Sequence, residues 1–176
     1  MKKIVLACAV VAVVILAVAV ARWSLRKPAG PEQAPEPENL RVVTLYFGSR
    51  DGSSLVPEER EIKATGAVLE DLRRVVEALI AGPAGGAGAG LFPADVSVRG
   101  VYINGKTAYI DFSRQIVDNF AGGSAAEYLL VASIVETVCA DFPEVDSVAL
   151  LVDGEQVETI GGHLDVSKAL RARDWR

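Results

Sequence analysis

The chain has 176 residues, of which 51% are hydrophobic, 23% charged and 6% aromatic. That is room for one ordinary domain and an appendage, not for two full cores. Residues 1–27 hold five of the 18 basic side chains and none of the 23 acidic ones, so the remainder carries a net −10; such a surface repels phosphate backbones and makes nucleic acid a poor partner. Two cysteines exclude a disulfide framework, and a single long apolar run excludes a multi-pass membrane protein.

That run is residues 4–21, IVLACAVVAVVILAVAVA, and it supplies much of a mean hydropathy of +0.30. As a helix it rises about 27 Å, close to the hydrocarbon thickness of a bilayer. Arg22 and Trp23 follow as interface anchors. The expectation is an uncleaved signal-anchor over 1–27 that binds the cell membrane through residues 4–21. Two alternatives stay open. Ala19-Val20-Ala21 after Lys2-Lys3 suits a cleaved signal peptide, and Val5-Leu6-Ala7-Cys8 suits a lipoprotein cut before Cys8. Positive charges on both flanks orient the span only weakly.

Residues 28–39, PAGPEQAPEPEN, hold four of the eight prolines and three glutamates. That density of proline forbids a helix or a central strand and predicts an extended linker.

The globular part begins with Arg41–Phe47, a strand by propensity. A turn cluster at 50–54 and a second extended stretch, Leu55–Ala64, follow. Ala67–Ala81 is a helix with an apolar stripe of Val68, Leu69, Leu72, Val75, Val76, Leu79 and Ile80, with Glu70, Asp71, Arg73, Arg74 and Glu77 off it. Gly82-Pro83 stops it. Ala84–Gly90, AGGAGAG, is a loop by composition. Val96–Asn104 and Lys106–Phe112 alternate around Asn104-Gly105, a hairpin signal, and residues 113–123 make a polar turn region. A second helix runs from about Ala125 to Ala140, with Ser124 and Glu127 in capping-box spacing. Val145–Val152 is a strand, Asp153-Gly154 a turn, Val157–Ile160 a short return strand, and residues 171–176 a frayed tail. The order β-β-α-β-β-α-β-β predicts an α+β domain over 40–170, with one antiparallel or mixed sheet and two helices packed on one face.

The chemistry-bearing motifs are sparse. Gly100–Thr107 fits G-x-x-x-x-G-K-[ST], but strand formers flank it and no helix follows to meet phosphates, so no nucleotide is expected. Cys139 and His163 are the only thiol and imidazole outside the apolar run; they make a poor zinc set, and the alternative reading is a Cys139–His163 dyad. Asp111, ending an apolar strand, and Glu58 with Arg60, two apart on an extended stretch, are the remaining polar candidates. Together with His163 they form a possible small-ligand set, with no cofactor, metal or catalytic residue expected.

Several segments resemble the sporulation and spore germination GerM domain. They are Leu45–Phe47, L-V-P-E-x-R-x-I (55–62), L-I-A-G-P (79–83), A-Y-I-D-F-S (108–113), S-I-V-E-T-V (133–138) and G-G-H-L-D-V-S (161–167), in family order. The resemblance implies a membrane-tethered, extracytoplasmic, non-enzymatic α+β domain similar to ring-building modules. It also implies self-association or docking to envelope or sporulation proteins. This places the C-terminal domain outside the cell. The family's best-known members carry two domain copies and a lipid anchor, whereas this chain shows one copy and an apolar span. The alternative function is a small-ligand or cell-wall-fragment binder at Glu58, Arg60, Asp111 and His163.

Overall fold

The computed structural model describes residues 15–17, 20–23 and 39–175 and divides the chain into two units, Met1–Pro37 and Glu38–Arg176. In the first unit, residues 15–17 and 20–23 are helical. The expected span lies largely, and the Pro-rich linker almost wholly, outside the described residues. Among the described residues no helix is long and apolar enough to cross a membrane.

The second unit runs β1 (Leu40–Ser49), β2 (Leu55–Lys63), α1 (Val68–Ile80), β3 (Gly88–Ala89), β4 (Val98–Asn104), β5 (Thr107–Phe112), α2 (Gln115–Asp118), α3 (Ser124–Asp141), β6 (Ser147–Val152) and β7 (Glu155–Gln156). Ala172–Trp175 adds a turn of 3-10 helix. The α+β class agrees with the sequence. The single sheet does not: there are two, ordered β2-β1-β3 and β4-β5-β6-β7. Each helix touches both sheets: α1 packs on β1 and β4, and α3 on β1 and β6.

The reason lies along one edge of β1. Its inner face buries Val43, Leu45 and Phe47 at period two, and one edge pairs with β2 from Leu40↔Lys63 to Gly48↔Leu55. The other edge meets β3 only at Gly48 and Ser49. Between Thr44 and Tyr46 it meets side chains of α3 instead. The Thr44 amide donates to Asp141 Oδ1 (2.9 Å), the Tyr46 amide donates to Thr137 Oγ1 (3.0 Å), and Ser133 Oγ donates to the Tyr46 carbonyl (2.6 Å). Positions 133, 137 and 141 form one stripe along a helix. They satisfy backbone groups that a neighbouring strand would otherwise pair.

The first helix buries Leu72, Val75, Val76 and Leu79, but Val68 and Leu69, in its first turn, are nearly half exposed. Asp71, expected off the stripe, is buried because its Oδ1 accepts the amide (2.7 Å) and hydroxyl (2.8 Å) of Thr65, fastening the approach to the helix. Part of the Gly/Ala loop pairs as β3; a Cβ on Gly88 would sit 2.9 Å from Phe47 Cβ, so only glycine allows that approach.

In the second sheet β4 and β5 form the expected hairpin, shifted by one residue. Asn104 pairs with Thr107, and the turn is Gly105-Lys106, with φ +59° at Gly105. Glycine in the first turn position suits a type II′ hairpin. The parallel β5–β6 pair follows from the α2–α3 crossover. The return strand is Glu155–Gln156 rather than 157–160, because the backbone from Ile160 onward turns towards α3. Residues of β1, α1, β5, α3 and β6 join in one hydrophobic core.

Candidate functional site

The four residues singled out from the sequence lie in three separate hydrogen-bonded settings. Glu58 and Arg60 share a face of β2, as their spacing requires, and pair with each other. The Arg60 guanidinium also donates to the carbonyls of Ala78 (3.1 Å) and Gly82 (3.0 Å), and the Glu58 carboxylate accepts the amides of Ala84 (3.1 Å) and Gly85 (3.0 Å). The pair is partly buried, not an exposed surface bridge. It holds the end of α1 and the chain leaving it against β2. Burial works to raise the Glu58 pKa; Arg60 and the two amides outweigh it and hold the carboxyl below its ordinary 4.5.

Asp111, at the end of β5, is buried and accepts the Gly154 amide (2.8 Å), which ties the Asp153-Gly154 turn to the sheet. Arg99 stands 3.5 Å away and bridges to Asp153 at 2.8 Å. His163 is about half exposed, with Nδ1 3.2 Å from Glu127 Oε2.

Glu127 is the residue that sequence reasoning misplaced. Its capping-box role fails: Gly123 is the N-cap of α3 and no side-chain cap bond forms. The side chain turns inward and is fully buried. Its two oxygens accept the amides of Ile160 (2.9 Å), Gly161 (2.8 Å) and His163 (2.9 Å). Burial again opposes the charge, and the amides of Gly161, His163 and Ile160 with the His163 ring overcome it, so the carboxyl is held below 4.5. Gly161 is required there, since a Cβ would lie 2.5 Å from the Phe120 ring. The signal available in sequence was Glu127 followed later by Gly161-Gly162-His163, a backbone able to aim amides at an anion.

These carboxylates and guanidiniums are engaged by backbone groups, and the arrangement holds loops onto the core. Cys139 and His163 do not form a dyad. His163 sits against Glu127, and Cys139 is twelve residues further along α3, about 18 Å of helix. Among the described residues no group of three or more His, Cys, Asp or Glu is placed to hold a metal ion. Gly100–Thr107 is hairpin, with no helix beginning at Lys106.

Two clefts open at the surface of the described residues, and none of the four sequence candidates lines either. One, of about 730 Å³, lies between Lys106, Cys139, Asp146 and Arg171–Arg173. The other, of about 480 Å³, has Tyr46 and Leu55 on one wall and Tyr128, Leu129, Ala132 and Glu136 on the other. Its lining is aromatic and aliphatic with a polar rim, the composition of a docking groove.

Residues 44–158 match the family described as Germane: sporulation and spore germination. No functionally curated protein matches the sequence. Among solved structures, a candidate lipoprotein from Clostridium perfringens is 26% identical over 80% of this chain and 93% of its own, with a TM-score of 0.57. The first GerMN domain of the sporulation protein GerM from Bacillus subtilis is 21% identical over 76% of this chain and 99% of its own, with a TM-score of 0.59. The tandem GerMN domains of the same protein match at 20% identity and a TM-score of 0.59, over 77% of this chain but 47% of theirs. At that identity the GerM matches speak for the fold.

Proposed function

We propose that this chain, which belongs to the Germane family of sporulation and spore germination domains, works as a non-enzymatic interaction module of the cell envelope. In this reading the apolar N-terminal segment holds it in the membrane as a single pass, and the globular unit reaches outside the cell on the Pro-rich linker. The observation that carries the reading is the use of the polar groups. Glu58, Arg60, Asp111 and Glu127 are engaged in holding loops, while an apolar cleft between β1 and α3 lies at the surface. A catalytic constellation needs at least two reactive groups aimed at a shared point; docking needs a shaped apolar surface with a polar rim.

Family membership supports a sporulation-related role, and the Clostridium relative's description as a candidate lipoprotein supports an envelope location. The 18-residue apolar run supports membrane attachment. Partners in this reading are envelope or sporulation proteins, or further copies of the chain. The test is cross-linking of the full-length protein in intact cells, with light scattering of the purified full chain in detergent. Adducts with an envelope protein, or concentration-dependent assembly, are expected; a monomer that yields no adduct overturns the reading.

A further inference from the structure

The outward face of the β1–β2 hairpin is where apolar exposure and unpaired negative charge meet. On β1 the side chains of Leu40 and Val42 are 49% and 59% exposed, and Thr44 and Tyr46 follow on the same face at period two. Beside them on β2 stand Glu61, opposite Val42, and Glu59, opposite Thr44. Both glutamates are exposed, and neither has an ion-pair partner among the described residues. At Tyr46 this strip opens into the 480 Å³ cleft, whose far wall presents Tyr128 and Ala132, with Glu136 one turn further along α3.

Among the described residues, three cations near this face are engaged elsewhere. Arg60 points inward to Ala78 and Gly82, Arg74 bonds Glu70 and the Lys63 carbonyl, and Arg41 bonds the Asp141 carbonyl and stacks on Phe142. Lys63, opposite Leu40, stands at the strip's end. Residues 39–176 carry 13 basic and 20 acidic side chains, a net −7, so the background field also draws cations. The face is therefore an apolar, tyrosine-bearing floor with a carboxylate rim.

We propose that this strip and cleft dock a basic, amphipathic segment of a partner protein. Apolar or aromatic side chains of the segment fill the cleft between Tyr46 and Tyr128 and cover Val42, and its Lys or Arg side chains reach Glu59 and Glu61. Tyrosine rings add cation–π attraction for the same groups. The strip from Leu40 to Tyr46 is about 20 Å long, the reach of a six-residue extended segment. This proposal rests on the interaction-module reading and names the chemistry of the partner.

The test uses the full chain in an uncharged detergent and a fluorescein-labelled ten-residue peptide of alternating Lys and Phe, read by anisotropy. Controls are a peptide with Glu in place of Lys and one with Ser in place of Phe. The Lys/Phe peptide is expected to bind and to weaken as salt is raised, and both controls to bind at least tenfold more weakly. Glu59→Lys with Glu61→Lys is expected to weaken binding about tenfold, and Tyr128→Ser several-fold. Glu155→Lys, on the exposed β7 turn, is expected to leave it unchanged. The variants in the same detergent cancel peptide uptake by micelles, and circular dichroism verifies their fold. Equal binding of the Lys/Phe and Glu/Phe peptides, or wild-type affinity in the double variant, overturns the proposal. So does self-association that the double variant abolishes while the peptide fails to compete, since the occupant is then a second copy. Envelope cross-links that persist unchanged in the double variant sink this face but leave the interaction reading standing.

Discussion

A carboxyl group sealed from solvent ordinarily takes up a proton. Glu127 is held on the charged side because the amides of Gly161, His163 and Ile160 and the His163 ring outweigh the desolvation. Glutamine in its place keeps one acceptor oxygen where two now serve three amides, so Glu127→Gln is expected to cost about 2–3 kcal/mol at neutral pH, measured by urea unfolding. The sign with pH follows from a lowered folded pKa. The stabilisation is fully present above the ordinary 4.5 and is lost as pH falls through the lower folded value. The stability gap between wild type and Glu127→Gln is therefore expected to close on acidification; a gap that is flat from neutral pH to pH 3 contradicts this. Asp141 is the opposite case. Burial raises its pKa above 3.8 against the Thr44 amide and Arg41, so its contribution is greatest below 3.8 and is lost as pH rises through the folded value. Asp141→Asn keeps an oxygen for the Thr44 amide and sheds the desolvation, and is expected to change neutral-pH stability by less than about 1 kcal/mol.

At the scale of elements, the division into two sheets rests on α3 standing where a strand would pair with β1. Thr137→Val leaves the Tyr46 amide without its acceptor, and Ser133→Ala leaves the Tyr46 carbonyl without its donor. Each is expected to cost about 1–3 kcal/mol and to speed amide hydrogen exchange of the β1 edge before that of β5 and β6. Arg60→Lys is expected to release the 82–85 segment, because one ammonium cannot bridge the Ala78 and Gly82 carbonyls as the forked guanidinium does. Faster exchange at Ala84 and Gly85 is the measurement. Most elements were legible in the sequence because they are local: the stripe of α1, the β4–β5 hairpin and the Asp153-Gly154 turn announce themselves in period and turn chemistry. The second sheet was not legible, because Ser133, Thr137 and Asp141 look like ordinary polar positions until a strand edge is laid beside them. Glu127 was misread for a related reason. Local spacing suggested a cap, whereas partners more than thirty residues away determine where the side chain goes.

For the whole molecule, the same long-range logic decides function. Glu58, Arg60, Asp111 and His163 were legible as polar groups in structured segments, but not as three separate fasteners. The cleft between Tyr46 and Tyr128 was invisible because its walls come from β1 and α3, more than eighty residues apart. The family segments, by contrast, coincide with the fasteners. L-V-P-E-x-R-x-I carries Glu58 and Arg60, A-Y-I-D-F-S carries Asp111, and G-G-H-L-D-V-S carries the amides of Gly161 and His163 that bind Glu127. Three of the six family segments thus supply the side chains and amides that hold loops to the core. The central claim is a tethered body that docks other macromolecules outside the membrane. Its most direct test is a membrane-impermeant amine cross-linker applied to intact cells that express the full-length chain. The account predicts adducts between this chain and an envelope protein in unbroken cells; a chain that reacts only after lysis, or only with itself at background level, contradicts it.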